Sequence, residues 1–376
     1  PDEPEASQEP AAPDREQGSG DDSLSTALEQ DAAAETAPGI RTDQPRFRRW
    51  LTIRDDPGGI ERFLLGTACI LAVLLIWHVL TRGEVADRIV NPVMLPSIEE
   101  TTRSFHELWF DRALMRNAFA SLSRVLGGFL LAAAVSIPLG VIAGCYPRFH
   151  AFLRPLSIFG RNAPVAALIP LTIMWFMVGE LQKVMFIYIA AWAFIFFDTT
   201  QSVRGIPGNY LDTAYTLGAR HSWKIGLRRA LLFGLAYAVI PLVGIHWMAN
   251  PSPALGDYLA RPDIWIKSLL WMAGGTLLWL PIQSHQAISK VLFPLALPHI
   301  INSMRLLFGL AFGYIILAEV IGSELGLGKI ISMSQRQGPR EHIYLVLIVI
   351  TLIAYSIDRL IMWIQRRAFP YVSHGN

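Results

Sequence analysis

Residues 125–146, VLGGFLLAAAVSIPLGVIAGCY, contain no charged side chain. A helix needs about 20 predominantly apolar residues to cross the hydrocarbon core of a bilayer, so this stretch is long enough to span it. Inside hydrocarbon every backbone N–H and C=O must find a partner within the chain, which favours a helix. Polar and apolar residues do not alternate here as they do in the strands of a membrane barrel. The stretch therefore predicts a transmembrane helix.

Seven further stretches are also predominantly apolar, and four of them contain one or two charged residues. Each is close to the length that a spanning helix needs, so together they predict an all-α polytopic membrane protein with about eight transmembrane helices. The third stretch is short and contains Pro164 and Pro170. The eight stretches are residues 63–80, 125–146, 162–178, 184–203, 230–249, 264–282, 292–318 and 343–363.

The composition of the whole chain agrees with a membrane location. Of its 376 residues, 52% are hydrophobic and only 16% are charged, whereas a soluble domain carries about 25% charged residues. This difference excludes most classes of soluble enzyme. The two cysteines, Cys69 and Cys145, both lie in apolar stretches, which argues against disulfides and against a structural zinc site.

The first 45 residues have a different composition from the rest. They hold 12 acidic and 2 basic residues and no aromatic residue, so they cannot bury enough apolar surface to offset the entropy of folding. We predict that residues 1–60 form an acidic, disordered cytosolic tail followed by a basic segment next to the membrane.

The basic residues predict the orientation of the chain. They are concentrated before the first span and after the second, fourth and last spans, and short basic loops remain in the cytosol. With eight crossings, both termini are then cytosolic. The loop at residues 81–116 is an exception because it also holds five arginines.

Residues 205–220, GIPGNYLDTAYTLGAR, predict a short helix in a cytosolic loop. Pro207 and Gly208 end the preceding helix, and Asn209 is a favourable cap for a new one, with Asp212 in its first turn. Gly218 can end this helix in a left-handed conformation. From physical chemistry alone, such a rigid helix is equally compatible with a docking point for a soluble partner and with an ordinary interfacial helix.

Several blocks resemble the permease subunits of binding-protein-dependent ABC importers of the nitrate/sulfonate/taurine/bicarbonate group. Residues 212–219, DTAYTLGA, resemble the EAA loop of these proteins. The other blocks follow in the family's order: MLPS at 94–97, SLSRVLGGF at 121–129, the proline-containing segment 162–180, PLALPHI at 294–300 and AEVIGSELGLG at 318–328.

The resemblance implies roles for several residues and partners. The EAA helix of the family docks on a cytosolic ATPase, so the resemblance assigns ATPase coupling to Asp212, Ala214, Gly218 and Ala219. Asp212 and Thr213 depart from the family's usual Glu and Ala. The implied partners are a cytosolic ABC ATPase dimer, a second and identical permease subunit, a periplasmic solute-binding protein and the lipid bilayer, with no nucleic acid and no cofactor.

One departure from the family concerns length. The prolines of the second half follow the EAA glycine closely in the family, whereas Gly218 and Pro294 lie 76 positions apart in this chain. We predict a six-helix permease core, at 61–226 and 290–376, interrupted at 227–289 by an inserted transmembrane hairpin. The hairpin is expected at the periphery, either as inert lipid-facing helices or as a docking surface for another subunit.

Four polar residues are candidates for the translocation path. Arg305 and Glu319 are ionisable groups within one predicted span, and such groups usually face the interior of a bundle or a water-filled path. Asn302 and Arg161 are weaker candidates. The alternative for each charged residue is a position near a helix end, where its side chain reaches water.

No stretch of the chain predicts a nucleotide or metal site. Residues 322–330, GSELGLGKI, differ from a phosphate-binding loop because five residues separate the outer glycines and Ile follows the lysine. The scattered histidines form no ligand cluster. The chain itself is therefore not expected to be an enzyme, and ATP hydrolysis is expected from a separate subunit.

Together, the sequence and the resemblance predict an importer permease in the bacterial inner membrane that passes a small solute, for which an anion is expected. Two alternatives stay open. One is a secondary transporter or channel without an ATPase, and the other is a non-transporting membrane scaffold derived from a permease.

Overall fold

The computed structural model describes residues 58–83, 88–248 and 260–370, with only the backbone described at 242–248. The predicted acidic tail, most of the basic segment after it and most of the hairpin loop lie outside these residues. The described residues divide into two units between Ala72 and Val73. In the first unit, the described residues belong to one apolar helix whose side chains are exposed.

The described residues form helices, and their one β-type pairing is an isolated bridge between His221 and His285. A 3-10 turn lies at Val165–Ala167 and a π-helix at Ile288–Leu292. The helices are α1 (Gly59–Leu80), α2 (Ile98–Phe110), α3 (Leu114–Cys145), α4 (Pro147–Asn162), α5 (Leu168–Phe176), α6 (Glu180–Arg204), α7 (Asn209–Thr216), α8 (Trp223–Met248), α9 (Pro262–Ser284), α10 (Phe293–Val320), α11 (Leu327–Gln337) and α12 (Glu341–Ala368).

The all-helical, multi-span prediction is confirmed, but the count of eight spans is not. By length and composition, five helical segments in the described part of the chain can cross a membrane: α1, α3, α6, Ile288–Val320 and α12. A sixth is possible if Pro147–Asn162 and Val165–Phe176, which meet at 89°, form one broken span. Pro164 explains the break, because it favours an extended conformation at Ala163. The hairpin helices α8 and α9, of 26 and 23 residues, are present but are not among these spans.

Close packing of α3 on α6 forms the centre of the second unit. A Cβ atom on Gly140 would lie 2.7 Å from the Cβ of Thr199, and one on Gly144 would lie 2.6 Å from the Cβ of Val203. Glycine at these two positions therefore lets α3 and α6 approach each other closely. A second small-residue pair, Gly309 and Gly313, has no atom of the described residues within 4 Å of either ideal Cβ position.

The hairpin helices α8 and α9 pack on each other and against α3. Trp279 stacks on Phe233 with 4.2 Å between ring centroids, and its indole N–H donates to the Tyr237 hydroxyl at 3.2 Å. The Tyr237 hydroxyl in turn donates to the carbonyl of Ala134 on α3. One side of the hairpin is thus joined to the bundle.

The residues before α8 and the residues at the end of α9 lie next to each other. The Ser222 N–H donates to the Ser284 carbonyl at 2.9 Å, and the Gln286 N–H donates to the Arg220 carbonyl at 3.3 Å. These bonds pair the segment after α7 with the segment after α9. The division of the chain at 227–289 stays a prediction, and the backbone pairing favours ends several residues earlier.

We therefore predict that two deletions of similar length will have different effects. Joining Arg220 to Gln286 through two glycines removes residues 221–285 but keeps both ends of the pairing in reach, so the rest should fold. Removing 227–289 instead cuts into the π-helix at Ile288–Leu292 and should abolish a folded product. Size-exclusion profiles and melting curves in detergent would test this. Equal behaviour of the two deletions would contradict the proposed boundary.

The start of α2 is stabilised by side-chain and backbone hydrogen bonds. Ser97 and Glu100 form a reciprocal capping box, in which the Glu100 N–H donates to the Ser97 hydroxyl at 3.1 Å and the Ser97 N–H donates to the Glu100 carboxylate at 2.8 Å. Arg88 adds an ion pair to Glu100 at 2.9 Å. The hydrogen bond from Arg88 and that from the Ser97 backbone lower the pKa of Glu100 from 4.5 to about 2.

This lowered pKa predicts acid sensitivity of α2. A carboxylate with a depressed pKa contributes stability above its ordinary pKa, and that contribution is lost as the pH falls from about 4.5 through about 2. The effect will be small because the Glu100 side chain is 40% exposed. Melting temperatures measured between pH 5 and pH 2.5 should fall less steeply in Glu100→Gln than in Glu99→Gln. Identical slopes for the two variants would contradict this account.

Candidate functional site

The short helix predicted in the loop after α6 is present as α7. It begins at Asn209, one residue earlier than predicted, because Gly208 rather than Asn209 occupies the cap position. The Asn209 side-chain oxygen instead accepts from the N–H of Tyr210 at 3.0 Å. Only residues 205–208 separate α6 from α7.

The end of α7 follows the prediction made for Gly218. This residue has φ = +82°, in the left-handed region. The Gly218 N–H donates to the Tyr215 carbonyl at 3.0 Å, and the Ala219 N–H donates to the Ala214 carbonyl at 2.9 Å. This pair of bonds is a Schellman ending, which a residue with a Cβ would strain.

One side of α7 is buried against the protein and the other is exposed. Ala214 is 6% exposed, whereas Leu217 is 82% exposed. Tyr210, Tyr215 and Asp212 are also exposed. The inner side packs against the π-helix at Ile288–Leu292, which continues into α10.

The four predicted coupling residues therefore have different positions. Asp212 and Gly218 are accessible to a partner, and Ala219 is half-buried. Ala214 lies on the inner side, where its small side chain allows α7 to approach the bundle. Their role in contacting an ATPase stays a prediction.

Two of the predicted path residues line neighbouring cavities. Arg161 lines a cavity of about 810 Å³ between α4 and α6. Asn302 lines a cavity of about 430 Å³ together with His299 and Tyr210, the latter on α7. Gln201 and Gly205 line both cavities, so both lie at the end of α6 that leads into α7.

The other two path candidates are engaged in ion pairs. Arg305 on α10 pairs with Asp358 on α12 at 3.0 Å. Glu319 is 1% exposed and its carboxylate is surrounded by donors. The structure thus brings Arg161 and Asn302 into one region and separates both from Glu319.

Glu319 belongs to a buried network at the opposite end of α6 from α7. Arg124 on α3 donates to Glu319 at 2.7 Å and also pairs with Glu180, which in turn pairs with Lys183 at 3.0 Å. The Ser121 hydroxyl lies 2.8 Å from both oxygens of Glu319. The network therefore joins α3, α6 and α10 through paired charges.

The same network holds the start of α11. The N–H groups of Gly326, Leu327 and Gly328 donate to Asn117, Ser121 and Glu319 at 2.7, 2.9 and 2.9 Å. A Cβ on Gly328 would lie 2.6 Å from the Cβ of Glu319, so a glycine is needed there. The glycine-rich segment 322–330 thus binds the Glu319 carboxylate of the protein itself, where a phosphate-binding loop would bind a phosphate.

Known proteins similar to this chain share one family. Residues 282–373 match the family model described as "Binding-protein-dependent transport system inner membrane component". A putative ABC transporter permease protein of Methanocaldococcus jannaschii is 26% identical over 79% of this chain and 88% of that protein. The putative aliphatic sulfonates transport permease protein SsuC of Bacillus subtilis is 24% identical over 85% of this chain and 92% of that protein. The bicarbonate transport system permease protein CmpB of Synechococcus elongatus is 26% identical over 82% of this chain and 90% of that protein.

These matches confirm the resemblance found in the sequence. The chain is similar to ABC transporter permeases. Its relatives support the predicted group, and the apolar helices support a multi-pass membrane protein. The match to the family model begins at residue 282, close to the point where the hairpin returns to the permease core.

Sequence reasoning missed Arg124, Ser121 and Asn117 of the permease. A signal for Arg124 was available, because it directly precedes the uncharged stretch 125–146 and an arginine at such a depth requires a partner. Its actual partner, Glu319, is 195 residues away in the sequence. Spacing alone could not identify that pair.

We predict that Glu319→Gln destabilises the permease strongly. The change removes one charge of a buried ion pair and weakens the hydrogen bond from the Gly328 N–H. Together these losses should lower the free energy of unfolding by on the order of 3 kcal/mol. Glu324→Gln is the matched control, because Glu324 is exposed and its change should stay within about 0.5 kcal/mol. Denaturant melts in detergent micelles would compare the two. A Glu319→Gln variant as stable as Glu324→Gln would contradict the assigned role of the network.

Proposed function

We propose that this chain is the transmembrane subunit of an ATP-driven importer and that a cytosolic ATPase acts on it through α7. The observation that carries the proposal is the position of α7 between two spanning helices. It follows α6 after four residues and packs on the π-helix that begins α10. Its outer side, with Leu217 and Tyr215, is exposed.

The contacts of α7 indicate how a displacement of this helix by the ATPase would change the solute path. The two cavities lie where α6 meets α7, and Asn302 on α10 lines one of them. Movement of α7 would shift α6 and α10 together and change the shape of both cavities. An ATPase can drive this only if its nucleotide-bound form binds one conformation of the permease more tightly than the other.

The remaining partners are proposed from the family. A second copy of the chain would complete the path, and a periplasmic binding protein would deliver the solute to the side opposite α7. The relatives include permeases named for sulfonates, bicarbonate and taurine, which supports a small anionic solute for this chain. Arg161 and Asn302 are the path residues that we favour, and both termini are expected in the cytosol.

The test is a pair of leucine truncations. Leu217→Ala should reduce the ATPase activity that co-purifies with the tagged permease at least tenfold, because large exposed side chains at the centre of an interface carry much of its binding energy. The melting temperature should not change, because Leu217 is 82% exposed. Leu232→Ala is the control, since Leu232 is 67% exposed but lies on the hairpin.

Two results would contradict the proposal. If the unaltered permease co-purifies no ATP-hydrolysing activity, a secondary transporter or a scaffold becomes the better interpretation. If Leu217→Ala and Leu232→Ala lose the same amount of activity, the ATPase does not act through α7.

A further inference from the structure

The cavity of about 810 Å³ between α4 and α6 is strongly basic. Its lining contains three arginines and a histidine but no carboxylate: Arg154, Arg161, Arg204 and His150. The volume lies within the range of about 300–1,000 Å³ that is usual for small-molecule sites. A cavity with this charge favours an anion and disfavours a cation.

The arginines of this cavity have no ion-pair partner in the part of the chain that the structure describes. Among the described residues, none of the three arginines forms an ion pair within 4.0 Å. Asp198, on α6, interacts with Arg161 electrostatically but does not pair with it. The arginine at the opposite end of α6, Arg124, has two carboxylate partners. In contrast to Arg124, the arginines of the cavity can therefore pair with a negatively charged ligand.

Several polar atoms at the cavity lack partners. Ser157 is 3% exposed, and its hydroxyl has no hydrogen-bond partner among the described residues. The same holds for Nε of Arg161 and Nδ1 of His150, which are also buried atoms. Burying such groups without partners is costly, so a ligand that accepts hydrogen bonds would be stabilised here.

The geometry also holds one arginine in place. The guanidinium of Arg161 lies over the ring of Phe197, 3.6 Å from its centroid. This stacking restricts the side chain, while its Nε–H has no acceptor among the described residues. A planar guanidinium suits the paired oxygens of a carboxylate, sulfonate or phosphate.

We propose that the α4–α6 cavity is a binding site for an oxyanion, held by Arg161 and Ser157 with Arg154 and Arg204 at its rim. Two sources can supply this chemistry. One is a small free oxyanion, and the other is the headgroup of an anionic phospholipid. The proposal deepens the proposed function, on which it rests for the place of Arg161 in the solute path, but binding to this cavity can be measured without an ATPase.

The experiment uses the full chain purified in two forms. In nanodiscs of phosphatidylcholine, equilibrium dialysis with radiolabelled inorganic phosphate measures binding of a free oxyanion. In detergent, native mass spectrometry compares retention of phosphatidylglycerol with that of phosphatidylcholine. Each assay is run on the unaltered chain, on Arg161→Gln and on Arg148→Gln. Arg148 is the matched control, because it lies on the same helix, is exposed and does not line the cavity.

Arg161→Gln should weaken binding about tenfold or more, because a charge-assisted hydrogen bond is lost, while Arg148→Gln should leave it unchanged. Arg161→Lys keeps the charge but not the planar fork and should give an intermediate loss. Binding should also weaken at high salt. If Arg161→Gln weakens the binding of phosphate, the ligand is a free oxyanion. If Arg161→Gln weakens the retention of phosphatidylglycerol, the ligand is a lipid headgroup.

The proposal is overturned if the unaltered chain neither binds phosphate nor prefers phosphatidylglycerol. It is also overturned if Arg148→Gln weakens binding as much as Arg161→Gln. Should Arg161→Gln fail to fold, Arg204→Gln replaces it, because Arg204 lines the same cavity but is exposed. Binding by Arg204→Gln equal to that of the unaltered chain would then overturn the proposal.

Discussion

Two backbone hydrogen bonds join the two ends of the hairpin α8–α9, beside the contact between α7 and the π-helix that leads into α10. They join Ser222 to Ser284 and Gln286 to Arg220, so the hairpin leaves and returns without separating α7 from that π-helix. If residues 227–289 are an insertion, as the sequence predicts, these bonds explain how it leaves the surroundings of α7 in place. The coupling role proposed for α7 is therefore compatible with the presence of α8 and α9.

The charged residues at the two ends of α6 differ in whether they form ion pairs. At one end Arg124, Glu180 and Glu319 satisfy one another and fix α11 through its backbone N–H groups. Such a network tolerates little change, because an unpaired charge in a low-dielectric interior is costly. At the other end, beside α7, cavities separate the helices and several polar atoms lack partners. Conformational change is therefore expected near α7 and not at the Glu319 network.

Much of the fold could be predicted because it depends on local chemistry. The apolar stretches, the capping box at Ser97 and the left-handed ending at Gly218 each need only a few neighbouring residues. The 89° bend could not be predicted, because Pro164 indicates a break but not the angle across it. The ion pair of Glu319 could not be predicted either. The sequence shows an acidic residue in an apolar segment, but it does not show whether the carboxylate contacts water or an arginine. Its partner comes from a helix 195 residues earlier.

The coupling proposed for α7 requires its outer side to contact an ATP-hydrolysing partner. Site-specific photo-crosslinking detects such a contact, with a benzoylphenylalanine placed at position 217 or, as a control of similar exposure, at position 232. In intact cells, position 217 should give a crosslinked product that contains a nucleotide-binding subunit, and position 232 should not. A product of this kind from position 232 alone, or from neither position, would contradict the account.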